Sequence, residues 1–256
     1  MKLTILGCSG SIPGPDAPAS GYLVESGDTR ILLDLGNGTL GTLQRFVDPF
    51  TPEALLLSHL HPDHCADFGA LTVLRRYHPA PPYDPVERKL TVHAPVEAPE
   101  RLAALYAPNA AERAGADLSD VFDFAPMPET PLRLGPFEIT AFPVHHVCPS
   151  WGFRIAAEGR VLAYTADTGP CEELTELARD ADVLLAEASW PDSPDRPDGL
   201  HLSGKQAAEL ANSASARRLL LTHLQPWCDD AAILAEAREH TAVPTELVTT
   251  AARYAV

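Results

Sequence analysis

The chain has 256 residues, 45% of them hydrophobic, enough for one large domain with a substantial core over residues 1–256. Its net charge of −16 argues against a large RNA or DNA held through phosphates, which needs a basic surface. No apolar stretch has the length of a membrane span, and the run at residues 1–7 is too short for a signal peptide. A cytoplasmic protein with no membrane partner is expected.

In chain order, residues 3–6 read as a strand leading into Gly7-Cys8-Ser9-Gly10-Ser11, which lacks the Gly-Lys-Ser/Thr ending of a phosphate-binding loop. Residues 21–26 and 29–34 read as two strands joined by a Gly27-Asp28 turn, and Thr39 caps a short helix through Phe46. The apolar run Ala54-Leu55-Leu56-Leu57 reads as a buried strand. It opens into Ser58-His59-Leu60-His61-Pro62-Asp63-His64, where three imidazoles and a carboxylate crowd together. Imidazole and carboxylate suit zinc and similar first-row metals. On extended chain His59 and His61 point the same way and can grip one ion. Asp63 and His64 follow at the turn and can reach a second position. Residues 67–77 then read as a helix with an apolar face.

Residues 78–85 form a proline-rich loop, residues 89–93 a strand and residues 98–106 a helix. His93 has no partner ligand near it and is expected to be structural. Residues 108–120 are polar and Ala-rich, without a clear element, and are expected to contribute to a rim over the site. Residues 132–134 and 137–142 read as a hairpin that runs into His145-His146. Adjacent strand residues face opposite sides, so one histidine of this pair faces the site, and periodicity does not choose which. Another hairpin, residues 152–156 and 160–164, ends near Asp167, which either caps a helix near Cys171 or serves the site. The apolar strand at residues 183–189 carries Glu187, a carboxylate that needs a partner. Residues 190–199 form a Pro/Asp-rich loop, a flap or an oligomer contact. His201-Leu202-Ser203 then precedes a helix capped by Ser203. Residues 218–222 make a strand ending at His223, residues 229–240 a helix, and residues 247–249 a final strand.

Five cysteines occur, Cys8, Cys65, Cys148, Cys171 and Cys228, an odd number without a Cys-x-x-Cys pair. Reduced thiols are expected. Cys65 and Cys148 neighbour candidate ligands, but sequence neighbours point apart, so neither is counted among the donors.

The His-x-His-x-Asp-His string resembles the signature of the metallo-β-lactamase superfamily, mostly metal-dependent hydrolases. The resemblance covers nearly the whole chain and implies an α/β fold, an αββα sandwich of two mixed β-sheets flanked by helices. A His followed closely by an aromatic-Gly pair, here Trp151-Gly152, is similar to the third-ligand motif of the ribonuclease Z branch. That likeness assigns His146 as ligand and leaves His145 either supporting the ligands from behind or structural. The same resemblance makes Asp167 a carboxylate bridging two metals, and Leu221-Thr222-His223 resembles the motif whose His binds the second. It further implies that His201, oriented by Glu187, is catalytic. One departure is Ala186, where the family often has His.

The resemblance thus implies two divalent ions, zinc first, with manganese or iron open. His59, His61 and His146 would hold one, and Asp63, His64 and His223 the other. Such a pair activates water for attack on phosphorus or carbonyl carbon, with Asp63 orienting it and His201 protonating the leaving oxygen. The general acid favours phosphodiesters. The tRNA-gripping arm of bacterial ribonuclease Z has no counterpart, since only 20 residues separate His146 from Asp167. The early Lys and Asn of that enzyme are missing too. The chain looks more like the compact phosphodiesterases that act on cyclic AMP, through Leu6-Gly7-Cys8-Ser9-Gly10-Ser11, Arg75-Arg76-Tyr77 and Glu187-Ala188-Ser189-Trp190. Arg75, Arg76 and Arg154 are candidates to meet a phosphate. A small phosphodiester such as a cyclic nucleotide is therefore the expected substrate, with a ribonuclease Z-like endonuclease and a catalytically idle metal-binding member as alternatives. Family members often pair, which extends to an expected homodimer.

Overall fold

The first half of the chain builds β1 (Lys2–Gly7), β2 (Gly21–Ser26), β3 (Thr29–Leu33), α1 (Thr39–Leu43), β4 (Ala54–Leu56), α2 (Pro62–Cys65), α3 (Phe68–Tyr77), β5 (Leu90–Ala94), α4 (Ala98–Tyr106), α5 (Ala110–Arg113) and β6 (Phe122–Pro126). The second half builds β7 (Leu132–Leu134), β8 (Phe137–Val144), β9 (Ser150–Ala157), β10 (Arg160–Tyr164), α6 (Glu173–Ala178), β11 (Val183–Glu187), α7 (Gly204–Ser213), β12 (Leu219–Thr222), α8 (Asp230–His240), β13 (Thr245–Leu247) and β14 (Arg253–Ala255). These elements come from a computed structural model, which describes residues 1–256.

The strands form two seven-stranded sheets, ordered β14-β1-β2-β3-β4-β5-β6 and β13-β12-β11-β10-β9-β8-β7. In the first, β14 through β3 pair antiparallel and β3 through β6 parallel. The second repeats this, antiparallel from β7 through β10 and parallel from β10 through β13. Both sheets are mixed, as expected.

Strand side chains alternate between faces, and here both faces are buried. Ala54 and Leu56 meet Phe153, Ile155 and Leu185 between the sheets. Leu55 and Leu57 point the other way, onto Phe68, Leu71 and Leu102 of the outer helices. The second sheet does the same: Leu184 and Leu219 pack on Leu177, Leu210 and Ile233 of α6, α7 and α8. The result is helix, sheet, sheet, helix. Each fully buried leucine contributes roughly 1.5–3 kcal/mol. No helix is long and apolar enough to cross a membrane.

Several local expectations change. The helix after Gly38 spans only Thr39–Leu43, with Gly38 at its N-cap. The last strands are β13 and β14 rather than one strand at 247–249, and β14 pairs with β1. Residues 108–120 carry α5 and then meet Arg76, whose guanidinium bonds Asp120 and the Asp117 carbonyl. They brace the end of α3, and no bond ties them to the histidine cluster.

Candidate metal centre

Five chain segments deliver the seven donors and Glu187, each at the carboxyl end of a strand, and the loop before α7 delivers His201. The loop after β4 carries His59 and His61, and Pro62 at the start of α2 fixes the turn that presents Asp63 and His64. His146 follows β8, Asp167 follows β10, Glu187 ends β11, and His223 follows β12. Asp34, Ala166 and His223 have φ of 58°, 53° and 58°, left-handed conformations that non-glycine residues rarely adopt. Such strain costs about 1–3 kcal/mol per residue, is held in place by surrounding packing, and clusters at functional sites. Glycine permits the closest backbone approaches: a Cβ on Gly36 would lie 1.9 Å from the Asp63 carbonyl oxygen.

The side chains converge as two groups that share a wall. In the first, His61 Nδ1 lies 3.0 Å from His59 Nε2 and 3.3 Å from His146 Nε2. In the second, His223 Nε2 lies 3.3 Å from His64 Nε2 and 3.2 Å from Asp63 Oδ2. Asp167 faces both: Oδ1 is 3.1 Å from His64 Nε2 and 3.2 Å from His223 Nε2, and Oδ2 is 3.7 Å from His59 Nε2. The seven residues expected at a metal pair are thus brought together. Asp167 caps no helix, since α6 begins at Glu173 with Glu172 as its cap.

The remaining ring nitrogens set the tautomers. His146 Nδ1 donates to the Leu200 carbonyl at 3.0 Å, and His64 Nδ1 to Asp34 Oδ2 at 2.8 Å. Each Nε2 lone pair is thereby turned inward, as metal ligation needs. Burial pushes His59, His61 and His146 down, toward neutral donors. Burial opposes ionisation of Asp63 and Asp167, but the facing histidines outweigh it and hold both carboxyls low. Burial also opposes charge on His64, yet Asp167, Asp34 and Asp63 outweigh it and push His64 up. Three carboxylates thus crowd one imidazole, and Asp167 Oδ1 is buried with no hydrogen-bond partner. Buried carboxylates packed this closely against imidazole nitrogens fit a cation that would satisfy both. Donor separations of 3.0–3.7 Å also match the polyhedron edges, roughly 3.4 Å, around zinc with bonds near 2.1 Å. The residues fit divalent metal.

His201 stands beside this cluster. Its Nδ1 lies 3.1 Å from Glu187 Oε1, and Glu187 also accepts from the Thr168 amide at 2.6 Å and Ser189 Oγ at 2.7 Å. Burial lowers the His201 pKa, but the Glu187 carboxylate outweighs it and pushes it up to about 9. The ring packs edge-on to Trp190, centroids 5.0 Å apart.

Asp34 escaped sequence reading. Its carboxylate accepts from the Ser58 amide at 2.7 Å, Ser58 Oγ at 2.9 Å, Tyr164 Oη at 2.8 Å and His64, locking the ligand loop to β3 and β10. The signal was present: a carboxylate at the exit of an apolar strand needs partners, as at Glu187. His145 pairs its backbone with Gly169, outside the donor set, and His93 reaches only the Pro126 carbonyl. The three arginines expected at a phosphate lie elsewhere. Arg75 is buried and donates to the Val121 and Arg88 carbonyls, Arg76 pairs with Asp120, and Arg154 donates to the Leu177 and Arg179 carbonyls. Their long stems pack on the framework, and their charges close backbone ends.

Residues 29–224 match the family model of the β-lactamase superfamily domain. The chain belongs to this superfamily. The architecture is the metallo-β-lactamase sandwich, and at this level the protein is a metallo-hydrolase. The chain is similar to an uncharacterized protein of Mycobacterium leprae, 46% identical over 251 residues, 97% of this chain and 86% of that one. It is 31% identical over 227 residues to the probable metallo-hydrolase YhfI of Bacillus subtilis, covering 88% of this chain and 87% of the relative. The crystal structure of YhfI superposes with a TM-score of 0.83 at 26% identity, covering 99% of this chain and 98% of the other. A ribonuclease Z of Myxococcus xanthus is 29% identical over 294 aligned positions, 96% of this chain and 95% of the relative.

Proposed function

We propose that this superfamily member hydrolyses a small phosphodiester, a cyclic nucleotide being the type case, with two divalent ions and His201 as general acid. The observation that carries the reading is the His201–Glu187 pair placed against a double cluster of metal donors. Ions bound there, zinc first and manganese or iron next, supply Lewis acidity and an activated water. The chain's own residues do the rest. Asp63, whose Oδ2 accepts the Ser11 amide at 2.8 Å, orients the attacking water by hydrogen bonding. Asp167 sits between the two donor groups and joins them electrostatically. Glu187 holds His201 Nδ1–H, which leaves Nε2–H to protonate the departing alkoxide, a poor leaving group without a proton.

Substrate size follows from what surrounds the cluster. A cavity of about 260 Å³, lined by Trp190, Ser193, Arg196 and His201 and by none of the seven donors, adjoins the general acid and is smaller than most ligand cavities. The hairpin of β9 and β10 uses the chain between His146 and Asp167 and leaves no room there for an RNA-gripping arm. The acidic charge points the same way. The ribonuclease Z relative supports phosphodiester chemistry and sustains a second reading, trimming of precursor tRNA. Purified metal-loaded protein is to be assayed on cyclic AMP, precursor tRNA and a chromogenic bis-phosphodiester. Turnover of the small diesters is expected, and cleavage of precursor tRNA alone would replace the first reading by the second.

A further inference from the structure

His59, His61 and His146 do not stand alone. One ring nitrogen of each, together with Cys148 Sγ, forms a set of four donor atoms that all lie within 4.8 Å of one another. Cys148 Sγ approaches the His61 ring at 4.0 Å from Nε2. The loop that carries it is pinned at its far end: Ser150 Oγ donates to the Asp167 carbonyl at 3.1 Å, and the Trp151 amide to the Ser58 carbonyl at 3.1 Å. The thiol therefore hangs over the exit of β4, where His59 and His61 emerge.

The other thiols are engaged elsewhere. Cys8 Sγ donates to the Val248 carbonyl, Cys65 Sγ to the Leu60 and His61 carbonyls, and Cys228 Sγ to Gln225, while Cys171 pairs with Thr168. Cys148 lies against His61, at the ring nitrogen other than the Nδ1 that faces His59 and His146. A second observation points to a cation beside the thiol: Asp167 is 2% exposed, and its Oδ2 turns toward this group, 3.7 Å from His59 Nε2.

We propose that Cys148 supplies an additional, sulfur donor to the ion held by His59, His61 and His146. This rests on the two-ion reading above. Ligation replaces the S–H bond by a metal–sulfur bond, and the thiol proton passes to solvent. A thiolate is a soft ligand, so this position prefers zinc or cadmium over manganese, whereas the position of Asp63, His64 and His223 has only nitrogen and oxygen donors.

The test is optical and independent of turnover. Metal-free protein is titrated with Co²⁺, alongside Cys148→Ser and Cys148→Ala. The wild type should show visible cobalt d–d bands together with a near-ultraviolet sulfur-to-cobalt charge-transfer band. Both variants should keep the d–d bands and lose the charge transfer. In competition, their preference for Cd²⁺ over Mn²⁺ should fall at least about tenfold, the loss that even outer partners of a ligand produce. Cobalt bound with d–d bands but no charge transfer in the wild type, or charge transfer surviving in Cys148→Ser, overturns the sulfur ligand and leaves the two-ion reading standing. No cobalt spectrum in the wild type overturns both.

Discussion

At the scale of single residues, the division between metal holding and proton transfer is open to separation. His201 donates to Glu187 and lies outside the two donor groups, 4.0 Å from Asp167. His201→Ala should lower kcat on an alkoxide-leaving diester about 10²–10⁴-fold while metal content per chain is unchanged. Metal analysis beside single-turnover rates checks this, and parallel loss of metal would contradict the assigned role. Asp34 touches no substrate position but turns His64 Nε2 inward. Asp34→Asn should weaken metal binding about 10–100-fold with far-ultraviolet circular dichroism unchanged, read by chelator competition. The donor set was legible because its core is contiguous, His59 to His64, and the distant members bear motif-like contexts. Asp34 was not, since nothing in Leu33-Asp34-Leu35 says that its partners are Ser58, Tyr164 and His64. The arginines misled for a related reason. Arg75 on α3 looks like a free cation in sequence, while its acceptors are carbonyls 46 and 13 residues away.

At the scale of elements, strand ends do the placing, and the segment that carries Asp63 depends on a backbone approach that a larger residue would block. Gly36 faces the Asp63 carbonyl across a gap no Cβ can enter. Gly36→Ala should therefore destabilise the protein by about 1–3 kcal/mol through overpacking, and it should also weaken metal at the Asp63 position. Urea unfolding and metal titration give the two numbers, and an unchanged midpoint would show that the loop gives way freely. Fully buried strands such as β4, β11 and β12 could be read from their unbroken apolar runs, as could α7 from its Ser203 cap. Strand β14 could not: it is three residues long, its burial pattern is exposed-buried-exposed, and its partner β1 lies at the opposite end of the chain. Pairing at that separation leaves no local periodic trace.

For the whole molecule, the two sheets meet at the metal centre. His59, His61, Asp63 and His64 hang from the first, while His146, Asp167 and His223 hang from the second. Ions bound between them bind the native state and not the unfolded chain. Zn²⁺ at a hundredfold excess over its Kd should raise stability by about 2.7 kcal/mol per site, and chelation should remove the gain. Thermal unfolding with and without EDTA measures it, and coincident curves would mean that the ions do not bridge the sheets. The layered α/β frame was readable from alternating strand and helix signals. That the layers bring residues 64 and 223 into contact came from the family likeness rather than from periodicity. The most direct check on the account is anomalous diffraction from crystals grown with Zn²⁺. Two peaks are expected, one among His59, His61 and His146 and one among Asp63, His64 and His223, with Asp167 between them; no peak there, or zinc bound only elsewhere on the chain, would contradict it.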